Sequence, residues 1–533
     1  DELFRLNRGG HDPYKVFAAY AKAVKANGKP TVILAKTVKG YGLGPGEASN
    51  KTHSIKKMDI ESLKNFRDRY NIPFSDEELE ALPYYHPGES SPEIRYLKAR
   101  REALGGYLPA RSSSAKKLDI PPLTDFQSHL EGSGERSLST TMAFVRMLST
   151  LTKDKNMGEK VVPIVPDEAR TFGMEGMFRQ LGIYSTEGQL YEPEDAGQMM
   201  FYKEDTKGRI LEEGINEAGA FAAWTAAATA YSNHGCTMVP FYIFYSMFGF
   251  QRIGDLAWAA GDAQARGFLL GATAGRTTLN GEGLQHQDGH SHVLASTIPN
   301  CVSYDPAFSF ELVTIIQNGL QRMYVNQENI FYYITLMNEN YVHPPMPEGA
   351  EKGIIEGMYC LSAANDSAEH SVQLLGSGTI LLEVIAAAEI LETDYQISAE
   401  IWSVTSFNEL RRQGAEAERW NLLHPEDAPR TAIVSDNLNR SAVPVIAATD
   451  HMKVYADQIR PYIDKNYRVL GTDGFGRSDC REKLREFFEV NRYFIVVASL
   501  TELAKRGDVD SALVASAIKK FGIDPEKTNP LTS

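Results

Sequence analysis

Short apolar runs alternate with helical segments over most of this chain, and each run ends in polar residues. They fall into two blocks, one at 161–165, 237–245, 267–273 and 301–305, the other at 372–378, 399–404, 443–450 and 467–473. Strands that alternate with helices favour right-handed parallel units. We therefore predict an α/β fold of successive domains, with mostly parallel sheets flanked by helices.

Length and charge narrow the class of protein further. A chain of 533 residues exceeds what one core can organise, so two or three domains are expected. The net charge is −14, although residues 1–120 carry 21 Lys and Arg against 15 Asp and Glu. A nucleic-acid binder would carry a concentrated basic field instead. No apolar run reaches the roughly 18 residues of a membrane span. We expect neither nucleic acid nor a membrane as a partner.

The four cysteines form no CxxC pair and have no zinc-type spacing. A reduced, cytoplasmic compartment fits this pattern best.

The first part of the chain resembles a fragment of a parallel sheet. Residues 11–28 are predicted to form a helix, with Asp12 as its cap and Pro13 in its first turn. The β-rich run 31–38 is predicted to be a strand, followed by the Gly-rich loop 39–47. Because a parallel sheet needs several strands, we expect an upstream region to be missing from this chain.

Polar residues follow several predicted strands of the second block. Asp167, Glu168, Tyr245 and the tract LNGEGLQHQDGHSH (279–292) all lie just after apolar runs. In open parallel sheets, ligands gather beyond the carboxyl ends of the strands. We therefore expect these residues to share one polar crevice, although position alone gives no reaction.

Several of these residues have alternative interpretations. One set of candidate ligands for zinc or iron is His286, Asp288, His290 and His292, although some of these residues could instead cap a helix or contact an anionic substrate. Glu217 begins an apolar helix, where a carboxylate often does no more than face the helix dipole. His53 lies in a polar loop, where an exposed histidine is usually incidental.

The aromatic string FYSMFGFQR (244–252) also has two interpretations. Aromatic clusters are usually core, but a flat slot for a ring-shaped cofactor is possible.

Six sequence motifs, taken together, are specific enough to indicate a protein family. KGYGLGPGE, VPDEARTFGMEGMFRQLGIYS, ILEEGINEAGA, PFYIFYSMFGFQRIGDLAWAAGD, GRTTLNGEGLQHQDGHSH and VLGTDGFGRSD occur in this order. In order and spacing they resemble the homodimeric pyruvate dehydrogenase component of bacteria, within the transketolase-like thiamine diphosphate family. The resemblance implies a tail of the diphosphate-binding domain plus linker at 1–116. It also implies a pyrimidine-binding domain at 117–346 and a C-terminal transketolase-like domain at 347–533.

The resemblance assigns cofactor contacts. It implies that Glu217 hydrogen-bonds the aminopyrimidine ring of thiamine diphosphate and that Phe248 stacks on that ring. The remaining cofactor-binding residues that it implies are Ile215, Tyr245, Arg252, Lys39, Asp167 and Glu168.

The resemblance also assigns catalytic groups. His286 matches an imidazole near the reacting carbon, which would donate a proton or position the substrate. His53 matches a histidine on a mobile loop used in transfer to a lipoyl group, and Lys39 and Glu47 flank that loop. Loops of this kind exclude water from a reactive intermediate.

Three departures from the family pattern are visible. Gln287 stands where the family usually has Glu, and the loop reads EASNKTHS instead of EGKNIAHQ. The GDG motif that, with a later Asn, supplies magnesium ligands is absent from the sequence. We therefore expect no metal ligands in this chain, and expect Mg²⁺ to be held by the missing upstream region.

The implied function is oxidative decarboxylation of pyruvate with acetylation of the lipoyl group of the acetyltransferase component, by a homodimer. A truncated non-catalytic remnant, another 2-oxo acid dehydrogenase, a transketolase or a metallohydrolase remain as alternatives.

Overall fold

The computed structural model describes residues 9–107, 112–166, 169–194, 202–365 and 367–533. The chain separates into two compact units, residues 1–108 and 109–533. In the described part of the chain, no helix is both long enough and apolar enough to cross a membrane.

In the described residues of the first unit, the regular secondary-structure elements are helices. Asp12 caps the first helix as predicted, because its carboxylate accepts the backbone N–H groups of Tyr14 and Lys15, with Pro13 in the first turn. The helix ends at Ala23, earlier than the predicted residue 28. The helices of this unit are α1 (Pro13–Ala23), α2 (Ile60–Arg69), α3 (Asp76–Glu80) and α4 (Pro92–Ala103).

The strand predicted at 31–38 is wrong. This segment forms no strand, and Leu34 is 91% exposed. The described hydrogen bonds of its backbone are isolated ones. The N–H of Gly10 donates to the carbonyl of Lys36, and the N–H of Val38 donates to the imidazole of His11. A strand needs a neighbouring strand to pair with, and the described residues of this unit supply none.

The second unit contains two main sheets. The strands are β1 (Ser137–Leu138), β2 (Val161–Val165), β3 (Ile183–Tyr184), β4 (Glu204–Asp205), β5 (Leu211–Glu212), β6 (Val239–Tyr245), β7 (Phe268–Ala272), β8 (Cys301–Tyr304), β9 (Phe331–Thr335), β10 (Tyr341–Val342), β11 (Tyr359–Ser362), β12 (His370–Gly376), β13 (Ile397–Ser403), β14 (Val445–Ala448) and β15 (Tyr467–Leu470). The first sheet has the order β5-β2-β6-β7-β9-β8 and is parallel throughout. The second sheet has the order β11-β13-β12-β14-β15 and is parallel except for the β11–β13 pair.

Helices connect and flank these sheets, which confirms the predicted α/β class. Their bounds are α5 (Gln127–Leu130), α6 (Thr140–Leu151), α7 (Glu175–Leu181), α8 (Glu217–Asn233), α9 (Gly249–Asp262), α10 (Ser291–Ala295), α11 (Ser309–Leu320), α12 (Ala350–Glu356), α13 (Ile380–Tyr395), α14 (Phe407–Leu423), α15 (Ile433–Leu438), α16 (Lys453–Asp457), α17 (Arg481–Phe487), α18 (Arg492–Arg506) and α19 (Ser511–Lys520).

Packing on the first sheet fixes the helix that begins at Glu217. Its side chain Trp224 is fully buried and donates its ring N–H to the carbonyl of Phe268 at 3.1 Å. On the sheet itself, Phe241 and Phe268 stack with ring centroids 4.6 Å apart. The small Ala side chains of α8 let this helix pack closely on the sheet, and this packing fixes the position of its first turn.

Candidate active site

The carboxyl ends of four neighbouring strands meet at one edge of the first sheet, because β5, β2, β6 and β7 run parallel. Glu217 follows β5, Tyr245 ends β6, and the tract 273–287 follows β7. The chain fold therefore brings together side chains that are far apart in sequence. Asp167 and Glu168 follow β2, but they lie outside the described residues.

Glu217 occupies the first turn of α8. The side chain of Asn216 caps this helix by accepting the N–H of Gly219 at 3.0 Å. Because Asn216 makes the capping bond, the carboxylate of Glu217 is available for other partners. It accepts a hydrogen bond from Nη1 of Arg252 at 2.5 Å. Its side chain is only 13% exposed, whereas that of Arg252 is 49% exposed. A nearly buried carboxylate thus faces a partly solvated cation.

Three rings surround this pair on one side. Tyr245 and Phe248 have centroids 6.0 Å apart, and each lies 5.2 Å from the ring of His286. The guanidinium of Arg252 lies over the Phe248 ring, 4.2 Å from its centroid. A planar group with N–H donors therefore already rests on the ring of Phe248 and donates to Glu217. This geometry is compatible with the interpretation of residues 244–252 as a slot for a flat ring.

His286 has a buried nitrogen that lacks a hydrogen bond. Among the described residues, no hydrogen-bond partner reaches its Nδ1. The nearest charge is Oε2 of Glu282, 3.5 Å away. Buried polar atoms without partners are rare and often mark a place where a ligand binds. Glu282, four residues earlier in the chain, and Phe172, 5.7 Å from Tyr245, were not singled out from the sequence.

One predicted contact residue is not brought into the cluster. Ile215 is 72% exposed, so it faces solvent and is not packed against the three rings.

The loop of the first unit has its own set of contacts. Nζ of Lys39 lies 2.8 Å from Nδ1 of the exposed His53. An ammonium group has only donors, so the imidazole nitrogen accepts this bond. Glu47 accepts the N–H of Gly42 at 3.1 Å, which closes the Gly-rich turn. Lys39 and Glu47 thus hold the loop that carries His53.

The metal interpretation of the tract 286–290 is not supported. The carboxylate of Asp288 accepts the N–H groups of His290 and Ser291 and the hydroxyl of Ser291, so it caps α10. Its fully buried oxygens are therefore already engaged. The helix-capping alternative therefore fits Asp288, whereas the side chain of His290, at the N-cap position itself, makes no capping bond.

Among the described residues, the remaining candidate of the tract, His292, lies in a buried group that has the spacing of metal ligands. His292, Asp305 and His451 offer ligand atoms within 4.8 Å of one another. Part of the hydrogen-bonding capacity of this group is already used, since Asp305 accepts from the hydroxyl of Thr335 at 2.6 Å. Burial would raise the pKa of Asp305, but His451, His292 and the hydroxyl of Thr335 together outweigh burial and lower that pKa to about 2. The group is separate from His286.

The fold has close counterparts among solved structures. Transketolase from Campylobacter jejuni superposes with a TM-score of 0.61 at 18% identity, over 92% of this chain and 66% of that one. Transketolase from Leishmania mexicana gives 0.60 at 15% identity, over 92% and 65%. The model of the transketolase-like C-terminal domain matches residues 357–491. The chain therefore has a transketolase-like fold.

Sequence relatives specify the family. The model of the pyruvate dehydrogenase E1 component middle domain matches residues 118–344. Pyruvate dehydrogenase E1 components of Pseudomonas aeruginosa and Escherichia coli are 63% and 56% identical, over 100% and 99% of this chain. The chain spans 60% of the length of each. It belongs to the pyruvate dehydrogenase E1 component family, which confirms the resemblance found in its motifs.

Proposed function

We propose that this chain is part of an enzyme that decarboxylates pyruvate with thiamine diphosphate and acetylates a lipoyl group. The observation that carries the proposal is the juxtaposition of Glu217, Phe248 and His286 at one sheet edge. A carboxylate, an aromatic face and an imidazole with an unused nitrogen are the groups that a decarboxylase of this cofactor needs. The names of the relatives, pyruvate dehydrogenase E1 components, support pyruvate as the substrate.

The residues fit the pyrimidine end of the cofactor. An aminopyrimidine is planar and carries N–H donors, as does the guanidinium that now lies over Phe248 and donates to Glu217. The ring would make the same two contacts after displacing Arg252. When bound, thiamine diphosphate supplies a carbon nucleophile and an electron sink for the carbon–carbon cleavage.

The residues of the chain would perform the proton and positioning work. Glu217 would hold or release a proton at the ring nitrogen that it contacts. His286, beside the same rings, would donate a proton to the substrate oxygen or orient its carboxylate. Phe248 and Tyr245 would exclude water from one side of the ring, since both are aromatic and packed against His286.

Magnesium and the diphosphate would be bound by the part of the family's length that this chain does not span. The support is the absence of a GDG string in the sequence. Mg²⁺ requires hard oxygen ligands in near-octahedral geometry, which the GDG motif and its later Asn provide in the family. The domain division at 1–116, 117–346 and 347–533 is part of this proposal.

His53, on the Lys39-supported loop, would serve transfer to the lipoyl domain of the acetyltransferase. Its exposure and its distance in sequence from Glu217 support a role outside the decarboxylation step.

The assembly would be a homodimer located in the cytoplasm. Exposed apolar side chains of the second unit, such as Ile215 at 72% and Trp258 at 52%, would contribute to the dimer interface, and all four cysteines are free.

The deciding experiment uses the full-length protein that contains this chain. With thiamine diphosphate and Mg²⁺, it should reduce an artificial electron acceptor in the presence of pyruvate, and much less with 2-oxoglutarate or a ketose phosphate. Mass spectrometry should detect an acetylated lipoyl domain. Activity with a ketose phosphate alone would favour a transketolase, and inactivity with all substrates would favour a non-catalytic remnant.

A further inference from the structure

A loop of the second sheet clamps the tract that carries His286. Residues 472–481, which follow β15, lie against residues 276–287, which follow β7. The clamp consists of bonds from Arg477 N to Gln287 Oε1 (2.7 Å), Gly281 N to Asp479 O (3.2 Å), Ser478 Oγ to Glu282 O (2.5 Å), Arg481 Nε to Thr278 O (2.7 Å) and Arg276 Nη1 to Gly474 O (2.6 Å).

Gln287 is the central member of this clamp. Its side chain is fully buried, and it is the residue next to His286. The amide Nε2 donates to the carbonyl of Leu279 at 2.8 Å, while the amide oxygen accepts from the N–H of Arg477. One side chain thus ties the tract to itself and to the facing loop. Both bonds form in a dry interior, where an unpaired partner is costly.

Close approach of the two loops requires a glycine. A Cβ on Gly476 would lie 2.5 Å from the carbonyl oxygen of Leu284 and 3.0 Å from the Cβ of Gln287. The two loops are therefore in direct backbone contact on the side of the tract that precedes His286. Movement of the loop 472–481 would move the backbone on which His286 is mounted.

We propose that Gln287 is a positioning residue, which holds His286 beside the Tyr245 and Phe248 rings by locking its backbone to the loop 472–481. The inference rests on the proposed function for the role of His286. The amide is suited to this position because it donates and accepts at once. A carboxyl group makes both bonds only while it carries its proton.

Three substitutions test the proposal in the full-length protein. Gln287→Met keeps the length of the side chain but makes neither bond. Gln287→Glu makes both bonds only when protonated. Gln285→Met is the matched control, since Gln285 precedes His286 and is exposed. Should Gln287→Met fail to fold, Gly476→Ala disturbs the same contact from the facing loop.

Hydrogen exchange gives a readout that needs no activity. Gln287→Met should speed amide exchange in peptides covering 279–287, whereas Gln285→Met should leave exchange there unchanged. Unchanged exchange in Gln287→Met would overturn the clamp even if the protein decarboxylates pyruvate. A parent protein that is inactive on pyruvate would refute the proposed function, while the exchange result would still decide whether the clamp exists.

Kinetics separate positioning from general destabilisation. Gln287→Met should lower kcat for decarboxylation about 10- to 100-fold, with KM for pyruvate nearly unchanged, because misplacing a reacting group acts on the chemical step. Gln287→Glu keeps the bond from the N–H of Arg477 and should therefore retain more of the parent's kcat than Gln287→Met, in line with the Glu that the family usually has at this position. A kcat of Gln287→Met within twofold of an active parent would contradict the proposal.

Discussion

Nη1 of Arg252 lies 2.5 Å from Oε1 of Glu217, and the same guanidinium lies over the ring of Phe248. Because the Arg252 side chain is half exposed, its guanidinium can be solvated by water when it leaves Glu217. A planar ligand with N–H donors can replace it at small cost. The pair therefore marks the position of the proposed pyrimidine site without blocking it.

Replacing Glu217 by Gln should reduce pyruvate decarboxylation by about a hundred- to ten-thousand-fold, the usual contribution of an acid–base group. The fold should persist, because Gln still accepts from Arg252. Reduction of an artificial electron acceptor measures the rate. The control is Asp255→Asn, an exposed carboxylate one turn beyond Arg252 on α9. Activity of Glu217→Gln within a few-fold of the parent would show that Glu217 is not the acid–base group.

Phe248→Leu should weaken binding of thiamine diphosphate roughly 2- to 10-fold, because stacking on a ring contributes about 0.5–1.5 kcal/mol. Calorimetric titration of the full-length protein with cofactor in the presence of Mg²⁺ measures the affinity. Tyr493→Leu removes a partly exposed aromatic at the start of α18 and is the control. Equal affinities in Phe248→Leu and the parent would exclude Phe248 from the pyrimidine site.

His53→Ala should reduce acetylation of a lipoyl domain much more than reduction of an artificial acceptor, because only the first reaction requires a macromolecular partner to reach the loop. Lys39→Met should give the same pattern more mildly, since Lys39 donates to the His53 ring. His86→Ala, an exposed histidine of the same unit, serves as control. Equal losses in the two assays would refute a separate transfer role for His53.

Acid should destabilise the fold through His343. Its Nδ1 accepts the N–H of Ser309 and its Nε2 donates to the carbonyl of Leu138, so the ring is held neutral. Burial lowers its pKa from 6.5 to about 4. Between these values the unfolded chain binds a proton that the folded chain does not. Stability is therefore full above pH 6.5 and declines as the pH falls toward 4.

His343→Gln keeps a donor and an acceptor but does not titrate. The loss of unfolding free energy between pH 7.5 and 4.5 should be roughly 2 kcal/mol smaller in this variant than in the parent. Urea denaturation at several pH values measures it, with the exposed His424→Gln as control. Parallel pH curves for parent and His343→Gln would show that this ring is not a source of acid sensitivity.

The sequence predicted most strands of both sheets because buried parallel strands are continuous apolar runs. β2 was predicted at its observed bounds, Val161–Val165. β9 was not identified, although it lies between β7 and β8 in the sheet. The prediction failed at 31–38, because the apolar run there has the composition of a strand but lacks a neighbour in the described residues of its unit.

The sequence by itself determined the fold class and the family, since helix–strand alternation and ordered motifs are properties of the chain. It also placed Tyr245 and the 279–292 tract just after strands, and Glu217 at the start of a helix. Only the tertiary structure decided which of these side chains meet, because parallel register brings distant strand ends to one edge. It placed Arg252 between Glu217 and Phe248, left Ile215 in solvent, and assigned Asp288 to a helix cap. The contact of Gln287 with Arg477 likewise depends on how two loops pack, for which no local pattern exists.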